Sequence, residues 1–502
     1  MSLFSKRKFS TFKFGATTLV NSRYGLAVDW DSDYLFDGTN EGENLVDLEI
    51  NRGRRYTFSA DGESFEVEET GKLSAVLIDE DSRYDPYNSS SPLYGNLAGG
   101  KFFKMRVRTS SDTYFPLMAG VLDEPVSMMK RGMSHARLEG SDGWAFLRDQ
   151  KNRVTVALQE DIYADDAMAL VLEYAGWPRI WDTALADGVD ERSFFWVDAR
   201  SAAQVMHELA HNELGQVAML ADGTAQFKSR VTLEDEVLEL TDTDVMEVQK
   251  LTPREAIRNV LSVKSSPRTE LSSQEVWEIP GRLEVAGSST ITDVWADFEY
   301  GGEAVPVKDP ITPVSGTDYD AYENSDGTGA DLTANITVAM TPFSTTGQLS
   351  ITNGAATTAH VWVRVRGKPI AKQNTVSFNY DDDDSIGQFG PRPFTLQVDQ
   401  NVNVARQYRD LLALWLPLAR DYLVVDLMPE PDTQFAVDLG QVIRAKLSNY
   451  GIDRAYRVVR IRHKFHDEAG IVMMTRWWLE PYSRLFAGVQ LPVQVPFQLG
   501  GG

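Results

Sequence analysis

Residues Lys72–Arg108, KLSAVLIDEDSRYDPYNSSSPLYGNLAGGKFFKMRVR, join two strand-like runs through a connector that is bent again and again. In the first run Leu73, Ala75 and Leu77 recur at every second position, the period of a strand with one buried face. The second run ends with Lys104, Arg106 and Arg108 alternating with Met105 and Val107. Between them lie Asp79 to Asp85, Asp85-Pro86, Asn88 to Ser91, Ser91-Pro92 and Gly99-Gly100, residues that fix or free φ and therefore make turns. The connector groups no acid, base and nucleophile, so it reads as shape and not as chemistry.

This pattern resembles the amino-terminal barrel of the hub proteins at the tail tip, or baseplate, of tailed bacteriophages. There a strand leads into a turn of the form DGRYDPxNxxSP, then a Gly-Lys and a basic strand. Asp81, Arg83, Tyr84, Asp85, Pro86, Asn88, Ser91 and Pro92 match, and Ser82 stands where that family usually has glycine. The likeness continues through the helix and hairpin of residues 201–230 and the segment Ser385–Gly390, where Phe389 replaces the usual tyrosine. It leaves out an insert and the tail after Arg484. The resemblance implies a homotrimer whose barrel-like domains continue the ring of the tail tube. Its implied partners are a distal tail protein, the tape measure protein and receptor-binding or fibre proteins, with viral DNA passing through without specific binding. It implies a virion protein of the distal tail tip, synthesised in the host cytoplasm, that is a structural hub and not an enzyme and has no cofactor.

Composition is consistent with that reading. A chain of 502 residues has room for about three domains, each with its own core. Cysteine is absent, which excludes disulfides and thiolate metal sites. No apolar run approaches the roughly 20 residues that span a bilayer, and the basic start MSLFSKRKFSTFKFG lacks the apolar stretch of a signal peptide. Acidic groups exceed basic ones by 73 − 49 = 24, which disfavours general attraction to phosphate backbones or anionic membranes.

The expected fold is mainly β and multidomain, with barrel-like hub domains, a helix-plus-hairpin domain and an inserted β-sandwich. Residues 1–150, with turns such as Asp61-Gly62, form the first barrel. Residues 151–285 form an α+β hub domain: a helix on Ala167, Met168, Val171, Leu172 and Ala175, then one begun by a Ser201/Gln204 capping box and ended at Gly215, then a hairpin about Asp222-Gly223. Residues 286–366, rich in Thr, Val, Ala and Gly, are the sandwich. Residues 367–484 are a C-terminal hub domain with a helix over 405–418 and strands that return to the first barrel, and 485–502 an extended arm.

The sharpest sign of chemistry is His207-Glu208-Leu209-Ala210-His211, a literal HExxH, whose histidines could share a zinc ion with Glu208 as base. Helical stepping puts Ala202, Val205, Met206 and Leu209 on one arc and Gln204, His207, Glu208 and His211 on the other. With no third histidine at metzincin spacing, a solvated helix face with no bound metal is the reading adopted. Asp29, Asp31, Asp33 and Asp37 imitate an EF-hand start, but Tyr34 holds the glycine position and Asn40 the glutamate position, so a strand edge is expected. Asp381, Asp382, Asp383 and Asp384 read as a solvated acidic loop and a candidate lining of the DNA channel. His463 and His466 are read on or beside a strand, and Trp362, Trp477 and Trp478 as core. The rival functions are a receptor- or glycan-binding tail protein acting through the sandwich, and a zinc peptidase at His207 and His211.

Overall fold

The computed structural model describes residues 24–36, 38–55, 67–68, 70–79, 81–108, 113–130, 133–149, 152–251, 257–398, 401–418, 420–466 and 473–482. Asp37, the Asp61-Gly62 turn and the 485–502 arm lie outside them.

Six strands make the first barrel: β1 (Tyr24–Val28), β2 (Leu45–Arg55), β3 (Lys72–Ile78), β4 (Phe102–Arg108), β5 (Tyr114–Leu122) and β6 (Met133–Ser141). They pair antiparallel in the order β1-β4-β5-β6-β3-β2. Period-two alternation aims Leu73, Ala75 and Leu77 of β3, and Phe103, Met105 and Val107 of β4, into one core with Leu26, Leu48 and Ile50. Lys104, Arg106 and Arg108 take the other face of β4.

The chain then forms α1 (Gly143–Arg148), β7 (Arg153–Ile162), α2 (Ala164–Tyr174), β8 (Arg192–Ser201), α3 (Ala202–Asn212), β9 (Gln216–Met219) and β10 (Ala225–Lys228). β7 and β8 are an antiparallel ribbon, β9 and β10 a hairpin, and the helices share a core with both. Two expectations about α3 fail. Ser201 makes no side-chain cap, because its hydroxyl donates instead to Leu147 O at 3.3 Å. The left-handed residue that ends the helix is Leu214 (φ 49°), not Gly215. Gly215 is required for space, since a Cβ there would lie 2.7 Å from Lys228 O.

β11 (Glu236–Thr241) and β12 (Val245–Leu251) lead away to a second barrel. After β13 (Val260–Ser265) comes the sandwich. One of its sheets is organised on the long β14 (Ala359–Lys372); the other pairs Ser289–Asp297, Thr346–Asn353 and Ile336–Pro342. Its strands run from Arg268 to Lys372, wider than the 286–366 read from composition. The early strands Gln274–Glu278 and Leu283–Val285 each bury one valine, Val276 or Val285, among glutamates, too little to shift the composition. β13 then lies between β15 (Val376–Asp381) and β16 (Pro393–Val398), joined by α4 (Asp383–Phe389) and covered by α5 (Val402–Ala413). α5 starts before Ala405 because Asn401 caps it, Oδ1 accepting from Asn403 N at 2.8 Å.

Last come β17 (Tyr422–Leu427), β18 (Val442–Leu447), β19 (Ile452–His466) and β20 (Met474–Pro481). The second barrel has the order β11-β18-β19-β20-β17-β12, with β11 parallel to β18. β19 belongs to both barrels. Ile452–Arg457 pairs with β18, Arg460–His466 pairs with β2, and these twelve strands, with the short Val67–Glu68 on β2 and Val126–Lys130 on β6, form one sheet of fourteen. Phe465 accordingly enters the first core, and Tyr456, Val458 and Ile461 the second.

Candidate functional site

The connector is a run of turns with a period of three. Ser82 N donates to Asp79 O, Asp85 N to Ser82 O, Asn88 N to Asp85 O, Ser91 N to Asn88 O and Tyr94 N to Ser91 O. The short polar side chains reinforce it: Asp79 accepts from Arg83 N, Asp85 from Tyr87 N, Asn88 from Ser90 N and Ser91 from Leu93 N. Pro86 and Pro92 follow Asp85 and Ser91, where their fixed φ suits the turn. Ser82 is left-handed at φ 52°, so this turn keeps the conformation a glycine would adopt without strain. The run is fastened by Glu41, whose buried carboxylate accepts from Trp30 Nε1 and Arg83 Nη2, each at 3.0 Å, and from the Tyr84 hydroxyl. Burial and the Glu41 charge raise the Tyr84 pKa, keeping its hydroxyl a donor.

The first barrel closes with a side chain. Asn40 Oδ1 accepts from Leu26 N at 3.0 Å and its Nδ2 donates to Tyr24 O at 3.2 Å, so one amide occupies the outer edge of β1. The 3-10 turn Glu41–Asn44 then leads into β2, and Gly42 lies so near Tyr24 O that a Cβ would collide with it. Where the barrels meet, buried Arg52 pairs with Asp438 at 2.8 Å. Asp142 accepts from Gly71 N at 2.7 Å and Trp144 N at 3.1 Å; burial nonetheless raises its pKa to about 6. His463 on β19 shares a 2.9 Å hydrogen bond with Thr475, and burial, then the Arg52 charge, lower its pKa to about 3.

On α3 the side chains of Gln204, Glu208 and His211 are exposed and Ala202, Val205, Met206 and Leu209 buried. His207 stacks on Trp144 at 4.4 Å, and Glu208 is ion-paired with Arg200. Among the described residues no third ligand joins His207 and His211. Asp29, Asp31 and Asp33 do not lie on a strand edge. β1 stops at Val28, because buried Asp29 accepts from Asp33 N at 3.1 Å and Tyr34 N at 3.0 Å and folds the chain over. Oxygens of these three aspartates approach within 4.8 Å of one another, the one such group among the described residues. Nor is Asp381–Asp384 a loop. Asp381 ends β15, Asp382 caps α4 by accepting from Ser385 N at 2.8 Å, and Asp383 and Asp384 occupy its first turn, where negative charge suits the helix dipole. Trp477 is core, but Trp362 is half-buried and donates to Glu278 at 2.6 Å.

Sequence reading missed a buried polar joint between α3 and α5. Arg230 meets Asp190 at 2.7 Å and Glu213 at 3.3 Å, while the Tyr408 hydroxyl donates to Asp190 at 2.6 Å. Burial and then the Asp190 charge raise the Glu213 pKa. Beside it opens a cleft of about 480 Å³ whose walls include Arg192, Trp196, Glu208, Arg268, Gln373 and Asn401. The Glu213-Leu214-Gly215 ending of α3 carries no mark of this joint, because Asp190, Glu213 and Arg230 lie far apart in the chain and among other charged or polar residues. Among the described residues no helix is long and apolar enough to cross a membrane.

No protein-family model and no curated protein matches the sequence. Among solved structures, the tail protein from Neisseria meningitidis MC58 is similar over 93% of this chain and 98% of its own, with a TM-score of 0.51 at 11% identity. The prophage MuSo2 43 kDa tail protein from Shewanella oneidensis aligns over 93% and 99%, with a TM-score of 0.49 at 9% identity. The prophage tail protein gp18 from Listeria monocytogenes EGD-e aligns over 94% and 98%, with a TM-score of 0.40 at 9% identity. The first likeness covers nearly all of both chains, so this mainly β, multidomain fold is shared with a tail protein.

Proposed function

We propose that this chain, folded like a tail protein, is the structural hub of a bacteriophage tail tip. In this reading three copies close a ring that continues the tail tube and organises the distal tail, tape measure and receptor-binding or fibre proteins. The observation that supports it is the pair of six-stranded barrels fused through β19 into one fourteen-stranded sheet. A rigid double barrel suits a ring segment, and cyclic symmetry ends such a ring without forming fibres. The role is one of interfaces and a passage, not catalysis. Native mass measurement of the isolated tail tip is expected to give three copies; one or six would overturn the trimer. Asp381–Asp384 is a candidate stretch of the passage wall. Carboxylates there would repel passing DNA, provided they lie within about 8 Å of it at physiological salt. Replacing Asp381, Asp383 and Asp384 by lysine, with the Asp382 cap kept, is expected to slow DNA ejection with assembly and adsorption intact, and unchanged ejection would remove them from the wall.

A second reading rests on the sandwich, where Trp295 and Phe343 are exposed at 47% and 38% and stack at 5.8 Å. Such a pair can bind a sugar face, so host-surface glycan retained by the intact chain and lost on Trp295→Ala would favour receptor binding. The peptidase reading has less support, because Trp144 and Arg200 engage His207 and Glu208. Purified protein is expected to hold no zinc at this helix; stoichiometric zinc lost on His211→Ala would restore that reading.

A further inference from the structure

We propose that the outer face of β4 docks an acidic, extended segment of another protein, through Lys104 and Arg106. Lys104, Arg106 and Arg108 alternate along that face in a chain whose acidic groups outnumber its basic ones by 24. Elsewhere such rows are neutralised within the fold. On β19, Arg462 meets Glu49 at 2.7 Å, and on β18, Arg444 meets Asp453 at 2.8 Å. On β14, Arg366 meets Asp318 at 2.6 Å and Lys368 meets Glu270 at 3.0 Å. The strands beside β4 offer no such acids: Lys104 lies across from Ala27 and Ala119, and Arg106 from Gly25 and Pro116. Among the described residues neither cation is ion-paired, and each rests on a ring instead.

Lys104 Nζ lies 4.7 Å from the centre of the Phe36 ring, and the Arg106 guanidinium 4.5 Å from that of Tyr114. A ring face fixes a cation but leaves its charge uncancelled. Gly25 gives Arg106 room to lie flat on the sheet, since a Cβ there would come 2.8 Å from Arg106 Nε. Phe36 is brought in by the turn after β1, where Asp29 holds Asp33 N and Tyr34 N. In that turn Tyr34 is left-handed at φ 68°, and its ring packs on Phe102 of β4 at 5.7 Å. So bulky a residue is strained there, and such strain persists only where the surroundings impose it.

The chemistry of the partner follows from this arrangement. Tyrosine and arginine dominate the energetic centres of protein interfaces, and Tyr34, Arg106 and Tyr114 are all exposed. Held in place before contact, the two cations lose little freedom on binding. They stand two residues apart on a strand, about 6.8 Å, which is also the spacing of alternate carboxylates on an extended chain lying alongside. A phosphate backbone fits less well. Its affinity comes from neutralising many charges at once, and two cations on a chain of net charge −24 supply few.

The test uses the full-length chain and two labelled probes, an alternating Glu-Thr dodecapeptide and an oligothymidylate of equal charge. Fluorescence anisotropy is expected to show the peptide bound at low salt and released at high salt. The double variant Lys104→Ala/Arg106→Ala should bind it about tenfold or more weakly. Arg106→Lys, which keeps the charge but not the planar stacking, should fall between. Arg462→Ala, on the ion-paired row of β19, should bind as the wild type does, with the thermal midpoints of all variants alike. A peptide left unbound, or bound equally by the double variant, would overturn the proposal. So would an alternating Lys-Thr peptide bound as tightly as the acidic one. Oligothymidylate bound more tightly than the peptide through the same two residues would assign the face to nucleic acid and overturn the proposal as well. None of these readouts depends on the proposed tail role.

Discussion

The two barrels have the same number of strands and solve the same problem differently. In the first, the edge of β1 is occupied by Asn40, and the connector is fastened by Glu41, the next residue. In the second, the outer edges of β11 and β12 pair with no strand among the described residues. A single amide can close a barrel when a glycine beside it lets the backbone come close, as Gly42 does.

The contrast can be broken most forcefully at Glu41. Glu41→Ala leaves the Arg83, Tyr84 and Trp30 donors without their acceptor and should destabilise the first barrel by about 3–5 kcal/mol in denaturant unfolding. A loss below about 1 kcal/mol would mean the connector is held by its own turns. The seam should respond next, through pH. His463, with its pKa lowered to about 3, makes the fold lose stability as pH falls below the unfolded value near 6.5, by about 1.4 kcal/mol per pH unit. Asp142, raised to about 6, acts oppositely: its proton favours the fold below about pH 4, and that stabilisation is lost as pH rises from 4 to 6. The two slopes cancel between about pH 4 and 6. His463→Gln should therefore expose a decline in stability with rising pH across that window, relative to wild type, measured as denaturant midpoints. Asp142→Asn should expose the reverse.

Smaller effects sharpen the comparison. Asn40→Ala should cost about 1–2 kcal/mol and speed exchange of the Leu26 amide, while β11 amides are unaffected. Ser82→Gly, which relieves a left-handed serine, should raise stability by about 0.5–1 kcal/mol. At the open barrel, Val237→Thr, on a half-exposed side chain, should change stability by less than about 0.5 kcal/mol. A larger loss there would show that this face is covered.

What was legible in the sequence follows from how far each interaction reaches. The strands of the first barrel and the connector could be read because alternation and side-chain-to-backbone turns act over two to four residues, as with Asp85 and Tyr87. The amphipathic face of α3 could be read for the same reason. Asn40 could not, because its partners are 14 and 16 residues away and an amide replaces a strand that no pattern announces. The acidic run at 381–384 looked like a loop because charge conceals a cap; Asp382 acts through one oxygen on Ser385 N. The Tyr408–Asp190 bond joins residues 218 apart and leaves no periodic trace.

β19 also sets a timetable. Gly53 of β2 meets Arg460, and 460 − 53 = 407 residues separate them. At about 5–20 residues per second, synthesis takes roughly 20–80 s to supply the partner of β2. Throughout that interval the first barrel has an unpaired strand edge, and the ribosome is building three further cores beside it. Truncated or stalled chains would carry that edge uncovered, open to pairing with their own kind.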